Sequence, residues 1–302
     1  MKIRSTHLST MPDRNILLSL AWFILLVGGA PVAIRITYSE LSPFWLGFLR
    51  YGLGAVAFWV LVLYKHLKIP KGRSLIGPVL FGILGIGVPF AFLGWGLLKT
   101  SASLASVLMA MVPLITIFLS AFQCVEVLTP RGIVGALLAI TGTIITVSGA
   151  TSAELSFPHI LAIVVGTGFL AQGGVIVKRY PSNSPIIMNA IGVTVGAVIL
   201  AIVSLMVGEP WVVPTLPGTW AALGYLIFFV TVIAFMQYLR VLNRWTASGA
   251  SYGFVIIPLV TVVIAAVLTR EHITRNFIMG ASLVLIGIVI GALLPGKEQL
   301  AV

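Results

Sequence analysis

Few residues in this chain could do covalent chemistry. Its 302 residues hold four histidines (His7, His66, His159, His272), one cysteine (Cys124) and seven carboxylates (Asp13, Glu40, Glu126, Glu154, Glu209, Glu271, Glu298). A hydrolase needs a nucleophile with a base in hydrogen-bond reach. A metal centre needs three or four clustered ligands. Every histidine and every carboxylate falls at the end of an apolar stretch or between two of them, so neither constellation is expected. No Gly-rich loop closes on Lys-Ser/Thr, so the phosphate cradle used in ATP hydrolysis is missing too. The expectation is a non-enzyme with no catalytic residue, no metal and no cofactor. A proton relay through carboxylates or histidines inside the apolar stretches is disfavoured for the same reason.

Arg50 is the most informative charge, because it lies about six residues inside an apolar run. Three readings stand side by side. Its guanidinium snorkels to an interface along an aliphatic stem, or it bonds the carbonyls at a helix end, or it clamps a substrate carboxylate in a bidentate fork. The other polar groups within apolar runs include Gln123, Gln172, Asn189, Gln237, Ser106, Ser251 and Thr261, so a cavity among these helices would be weakly polar. Its candidate lining is Trp22, Arg50, Trp95, Met109, Leu170, Gln172, Tyr225 and Tyr252. Several inward Lys or Arg would be needed for phosphorylated substrates, and only Arg50 qualifies.

Prolines punctuate the same runs. Pro31 follows Gly28-Gly29-Ala30, Pro89 follows Gly85 and Gly87, and Pro113 and Pro258 are mid-run. A proline removes one donor and frees a carbonyl, bending the helix; in lipid that carbonyl must be satisfied or face a cavity. Each of the four is a candidate hinge or a static kink.

The elements that must position these groups follow from composition. Hydrophobic residues make up 59% of the chain and charged ones 8%, and the mean hydropathy is +1.15. A soluble domain carries roughly 25% charged residues, so disorder and a soluble globule are both excluded, and the lone Cys124 excludes a disulfide scaffold. About 20 apolar residues cross a bilayer as a helix. Ten such spans are predicted, at 15–34, 44–64, 75–98, 102–123, 131–149, 157–177, 185–207, 219–240, 248–269 and 276–294. The basic start (Lys2, Arg4, Arg14) lacks a cleavage site after a short apolar region, so it reads as an uncleaved first span. With the N-terminus inside, 13 Lys and Arg fall on cytoplasmic segments and four (Arg35, Lys99, Arg270, Arg275) on external ones. That bias orients both termini to the cytoplasm. It also accounts for most of the net charge of +11, leaving no role for nucleic acid. Short loops suggest a bacterial plasma membrane.

The chain repeats itself. A shift of 145 places Pro113 on Pro258, Glu126 on Glu271, Gly135 on Gly280, Gly142 on Gly287 and Ala105-Ser106 on Ala250-Ser251. Ser42-Pro43 and Ser184-Pro185 make a further pair. Each half, 1–150 and 151–302, holds five expected spans. Five is odd, so the second half enters the membrane from the opposite side, as in many secondary transporters. Gly192 with Gly196 and Gly287 with Gly291 form small faces for close helix packing. Packing within the chain is the first reading of these faces; a monomer fits it, and a dimer seam stays open.

These residues carry a resemblance. Ser-Pro before span two, Arg50 within it, and the doubled Ala-Ser, Pro, Glu, Gly pattern resemble the EamA type of the drug/metabolite transporter superfamily. The resemblance covers nearly the whole chain and is most specific over 102–142. It implies a metabolite exporter with a central cavity between two halves, comparable first with the YddG-like bacterial amino-acid exporters. Val27 and Leu170 stand where members of that family often carry a cavity tryptophan, while Trp95 stands where an aromatic is usual. The expectation is an all-α transporter that exports small metabolites, amino acids first (neutral, aromatic or broad range), by alternating access. The runner-up is efflux of lipophilic drugs; a channel or scramblase and a non-transporting subunit complete the alternatives.

Overall fold

The computed structural model describes residues 12–100, 105, 108–147, 156–180, 184–269 and 275–293. Ser106, His7, Glu154, Glu271, His272 and Glu298 lie outside the described residues. All regular structure among the described residues is helical. Six helices are long and apolar enough to cross a membrane: α1 (Arg14–Thr37), α2 (Pro43–Tyr64), α3 (Gly72–Gly96), α6 (Phe157–Arg179), α7 (Pro185–Val207) and α8 (Pro217–Arg244). Four shorter apolar helices occupy the other expected span positions: α4 (Val112–Phe122), α5 (Pro130–Ile145), α9 (Ala247–Thr261) and α10 (Ile278–Gly291).

Where the helices start and bend follows from local residues. Pro43, Pro185 and Pro217 each stand at a first helical position, where the missing N–H would have had no partner and the fixed φ is already helical. Helix α1 breaks at Gly29, just before Pro31. Helix α3 widens into a π-helical stretch at Gly82–Gly87, directly before Pro89. Helix α8 does the same over Tyr225–Ala234 without a proline. Pro258 lies inside a helical run, Gly253–Thr269, whereas Pro113 lies in the first turn of α4. The two symmetry-related prolines therefore sit differently: Pro258 interrupts a ladder, and Pro113 begins one.

Lipid offers no hydrophobic drive between helices, so they associate through close approach and interhelical hydrogen bonds. Glycines supply the approach. A Cβ on Gly135 would sit 2.5 Å from the Gly287 carbonyl, and one on Gly142 would sit 2.6 Å from that of Gly280. Gly135 repeats as Gly280, and Gly142 as Gly287. The repeat's own glycines thus cross-pair, and α5 runs antiparallel to α10 about a local two-fold relation. Gly192 and Gly196 face Phe81 and Ile86 of α3, and Gly291 faces α5, so these small-residue faces are used within the chain.

The two halves are further joined by carboxylates at helix starts. Glu209 accepts from the Phe44 and Trp45 N–H groups at 3.2 and 2.7 Å, and Ser204 donates to it at 2.7 Å. Glu40 accepts from Thr215 N and Oγ1 and from Leu216 N, just before α8. These two glutamates mark one end of the bundle. At the other end Glu126 accepts from Ala247 N, Ser248 N and Ser248 Oγ at the start of α9. Helix starts carry partial positive charge and orphan N–H donors, which a carboxylate satisfies. Asp13 completes the set by capping α1 through Ile16 N. All four described acids are therefore committed to helix starts.

Candidate functional site

A cavity of about 1350 Å³, open solvent at its mouth included, lies between the halves. It reaches the Glu40/Glu209 end at Tyr38, Pro43 and Leu97, which terminate α1, begin α2 and follow α3. Toward the opposite end it stops at Phe23, Tyr238 and Phe254. Their rings pack as a cluster, with centroids 4.9 Å apart for Phe23–Tyr238 and 5.6 Å for each contact with Phe254. The other lining among the described residues is aliphatic, glycine, proline and aromatic, with Met109; besides Arg50, tyrosines bring the polar side-chain atoms there.

Among the described residues Arg50 is the one charged residue lining the cavity. It is 4% exposed, so it does not snorkel to water. Its Nε donates to Thr231 Oγ1 of α8 at 2.9 Å, which crosses the halves. Among the described residues no acceptor is recorded on its two terminal nitrogens. The Thr231 hydroxyl in turn donates to the Leu226 carbonyl at 2.9 Å, inside the widened stretch of α8. Three aromatic faces surround the guanidinium: Tyr51 at 4.8 Å, Phe90 at 5.6 Å and Phe235 at 6.0 Å. Such faces attract a cation through the ring quadrupole, but they do not neutralise it. The Tyr51 hydroxyl, buried beside Arg50, has no hydrogen-bond partner.

Two carbonyls beside the bend in α1 already have side-chain donors. Tyr225 Oη donates to the Leu26 carbonyl at 2.6 Å, and Thr261 Oγ1 donates to the Gly28 carbonyl at 2.8 Å. Both carbonyls belong to the turn before the Gly29 break in α1, where a proline costs the ladder its bonds. Tyr225 and Thr261 thus hold two carbonyls of this turn, while the Val27 carbonyl, which Pro31 leaves without its helical donor, belongs to a cavity-lining residue.

Of the expected lining residues, Arg50, Met109 and Leu170 face the cavity, as do Pro31 and Pro258. The others do not. Trp22 is 54% exposed and points away, since one residue along a helix turns about 100°; its neighbour Phe23 takes the cavity position. Trp95 stacks on His159 at 4.2 Å, on the side of α3 that meets α6. Gln172 pairs with Gln123 through amide bonds of 2.7 and 3.3 Å. Tyr225 is spent on α1 as described, and Tyr252 is buried with its hydroxyl on the Gly132 carbonyl at 2.9 Å. Pro89 and Pro113 are buried in helix packing. Sequence reasoning missed Tyr51, Phe90, Phe235 and Thr231. The position of Tyr51, next to a buried arginine, was the one available signal.

The model of the EamA-like transporter family matches the chain twice, over residues 15–148 and 157–292. The chain is 25% identical over 287 residues to the uncharacterized transporter YyaM of Bacillus subtilis, covering 92% of this chain and 93% of that one. It is 27% identical to an uncharacterized transporter of Archaeoglobus fulgidus, covering 89% and 97%. It is also 27% identical to the uncharacterized inner membrane transporter YedA of Escherichia coli K12, covering 82% and 81%. A solved crystal structure superposes with a TM-score of 0.79 at 20% identity, covering 96% of this chain and 100% of that one, which shows a shared fold. With the family model matched on both halves and relatives aligned along most of its length, the chain belongs to the EamA-like transporter family.

Proposed function

We propose that this protein is a secondary transporter that exports small carboxylate-bearing metabolites, amino acids (neutral, aromatic or broad range) being the first class to test. The observation that carries this reading is the cavity: both halves line it, and it runs from the Glu40/Glu209 end past a buried Arg50 to an aromatic cluster. Such a shape suits one state of an alternating-access cycle, in which a second state opens the opposite end. The reading takes the ten apolar helices as ten spans in two inverted five-helix repeats, with both termini cytoplasmic in a bacterial plasma membrane. The cross-paired glycines of α5 and α10 support the inversion. On this orientation the Glu40/Glu209 end is external, and the Glu126 contact ties the halves together at the cytoplasmic end. Bending would occur at the Gly29–Pro31 break, at the widened turns of α3 and α8, and at Pro258.

Counterflow in proteoliposomes tests the reading. Vesicles preloaded with one unlabelled metabolite should take up its labelled form saturably. Flux no greater than in empty vesicles across amino acids and a broad organic-acid set would refute it. Lipophilic compounds form the second reading, favoured by the apolar walls; the buried cation weighs against lipophilic cations within that class.

A further inference from the structure

We infer that the cavity is built for a ligand of net charge minus one, an apolar organic monocarboxylate, in preference to a zwitterionic amino acid. This rests on the transport reading for the use of the cavity and narrows its substrate class. The first ground is Arg50. A buried charge without a partner is costly, and here the one recorded hydrogen bond is to a neutral hydroxyl. One carboxylate in reach of the terminal nitrogens would neutralise it in the fork geometry that a guanidinium favours.

The second ground is Tyr51. Its hydroxyl is buried and unpartnered, its ring lies 4.8 Å from the guanidinium, and the residue belongs to the cavity wall. A buried donor left unpaired is costly, and an oxygen held on Arg50 would offer it an acceptor. Arg50 and Tyr51 together make a subsite for one anionic group.

The third ground is what an ammonium would meet. Asp13, Glu40, Glu126 and Glu209 are all engaged at helix starts, and none lines the cavity. Two carbonyls of the bend in α1, those of Leu26 and Gly28, are held by Tyr225 and Thr261, and the neutral carbonyls left, such as that of Val27, carry no counter-charge. The remaining wall is aromatic and aliphatic. An ammonium brought there would lose water and gain no counter-charge, whereas a hydrocarbon body would lose nothing.

Two matched ligand trios read the charge rule on the intact protein in detergent: 3-phenylpropionate, phenylalanine and 2-phenylethylamine, and 4-methylpentanoate, leucine and isopentylamine. Titration calorimetry should rank each trio acid, then amino acid, then amine, with the acid about tenfold or more tighter than the amino acid, as one unpaired buried polar group requires. Arg50→Gln should erase the ranking while the native unfolding temperature shows that the variant folds. If that variant does not fold, Tyr51→Phe should shrink the acid's advantage. An amino acid that binds as tightly as its matched acid, no binding by any member of either trio, or a ranking that survives Arg50→Gln would overturn the inference. Counterflow separates the two readings: tight acid binding without flux would sink the transport reading alone, and flux with an amino-acid preference would sink this inference alone.

Discussion

Glu126 joins the first half of the chain to the start of α9 through three hydrogen bonds, donated by Ala247 N, Ser248 N and Ser248 Oγ. The Glu126→Gln variant keeps the shape and removes the charge. Only one amide oxygen remains as an acceptor, and the amide N–H₂ then faces backbone N–H groups. Bonds to a charged group contribute about 1.5–3 kcal/mol each, whereas whole-cap replacements cost about 0.5–2 kcal/mol. Because the site is half-buried, a loss near the top of the cap range is expected, about 2 kcal/mol. That corresponds to a roughly 30-fold rise in the population with α9 detached. Ser251, 1% exposed and one turn into α9, is a place to read it. In a Cys124→Ser background, the Ser251→Cys thiol should react with a water-soluble maleimide only through local opening, so its rate tracks that population. Adding Glu126→Gln should raise the rate by roughly 30-fold. In a separate protein that keeps Cys124 and Ser251, the exposed Cys124 is the control, and Glu126→Gln should leave its rate unchanged. A Ser251→Cys rate that ignores Glu126→Gln would show that the carboxylate does not hold this end closed.

Other outcomes follow from the same contacts. The Thr215 hydroxyl, with the Thr215 and Leu216 N–H groups, lowers the Glu40 carboxyl from an ordinary 4.5 to about 2. A depressed carboxyl stabilises the fold fully above its ordinary value and loses that contribution as pH falls to the depressed one. Fluorescence of Trp220, hydrogen-bonded to the nearby Pro214 carbonyl, should change in the folded protein around pH 2, where Glu40 takes up its proton, although the stabilisation it gives declines from about pH 4.5 downward; a change centred near pH 4.5 would place the release elsewhere. Gly135→Ala should destabilise by about 1–3 kcal/mol, because its Cβ meets the Gly287 carbonyl. Gly168→Ala meets nothing and should stabilise by about 0.5–1 kcal/mol; thermal unfolding in detergent compares the two. Trp22→Ala should leave flux unchanged, whereas Phe23→Ala thins the cavity floor and should admit leak of small solutes into sealed vesicles.

Arg50 was legible because a lone charge in apolar text is expensive and therefore has a purpose. Its surroundings were not. Thr231 lies 181 residues away, and Phe90 and Phe235 come from α3 and α8, so no local spacing unites them. The repeat was legible from prolines, glycines and glutamates at one offset. The glycine cross-pairing between α5 and α10 gives that repeat a geometric meaning that the offset alone does not carry. Helix faces were the weak point. Aromatic and small residues occur on every side of helices in lipid, so Trp22 and Phe23 differed by one position with nothing in their types to decide between them. Prolines announced the bend in α1, but no residue type announced the widened turn over Tyr225–Ala234 that carries Thr231.

The distribution of charge bears on how such a carrier would cycle. The four described acids stabilise helix starts, and three of them tie one half to the other. Among the described residues, then, none stands in the cavity to trade protons with a substrate. Arg50 is left as the cavity's net charge. When the cavity is empty and open, water at the mouth screens that charge. To change access, the cavity must pass through a closed form in which the guanidinium is dry, and an unpaired dry charge is the costly case. A bound carboxylate removes that cost, which is largest at this step. The loaded protein should therefore change access faster than the empty one, so exchange of one substrate molecule for another should outpace net flux. Labelled counterflow and net efflux, measured on the same vesicles with the same acid, test this directly. Equal rates would mean that the empty cavity closes as readily as the full one, and that Arg50 keeps its water or finds another partner on the way.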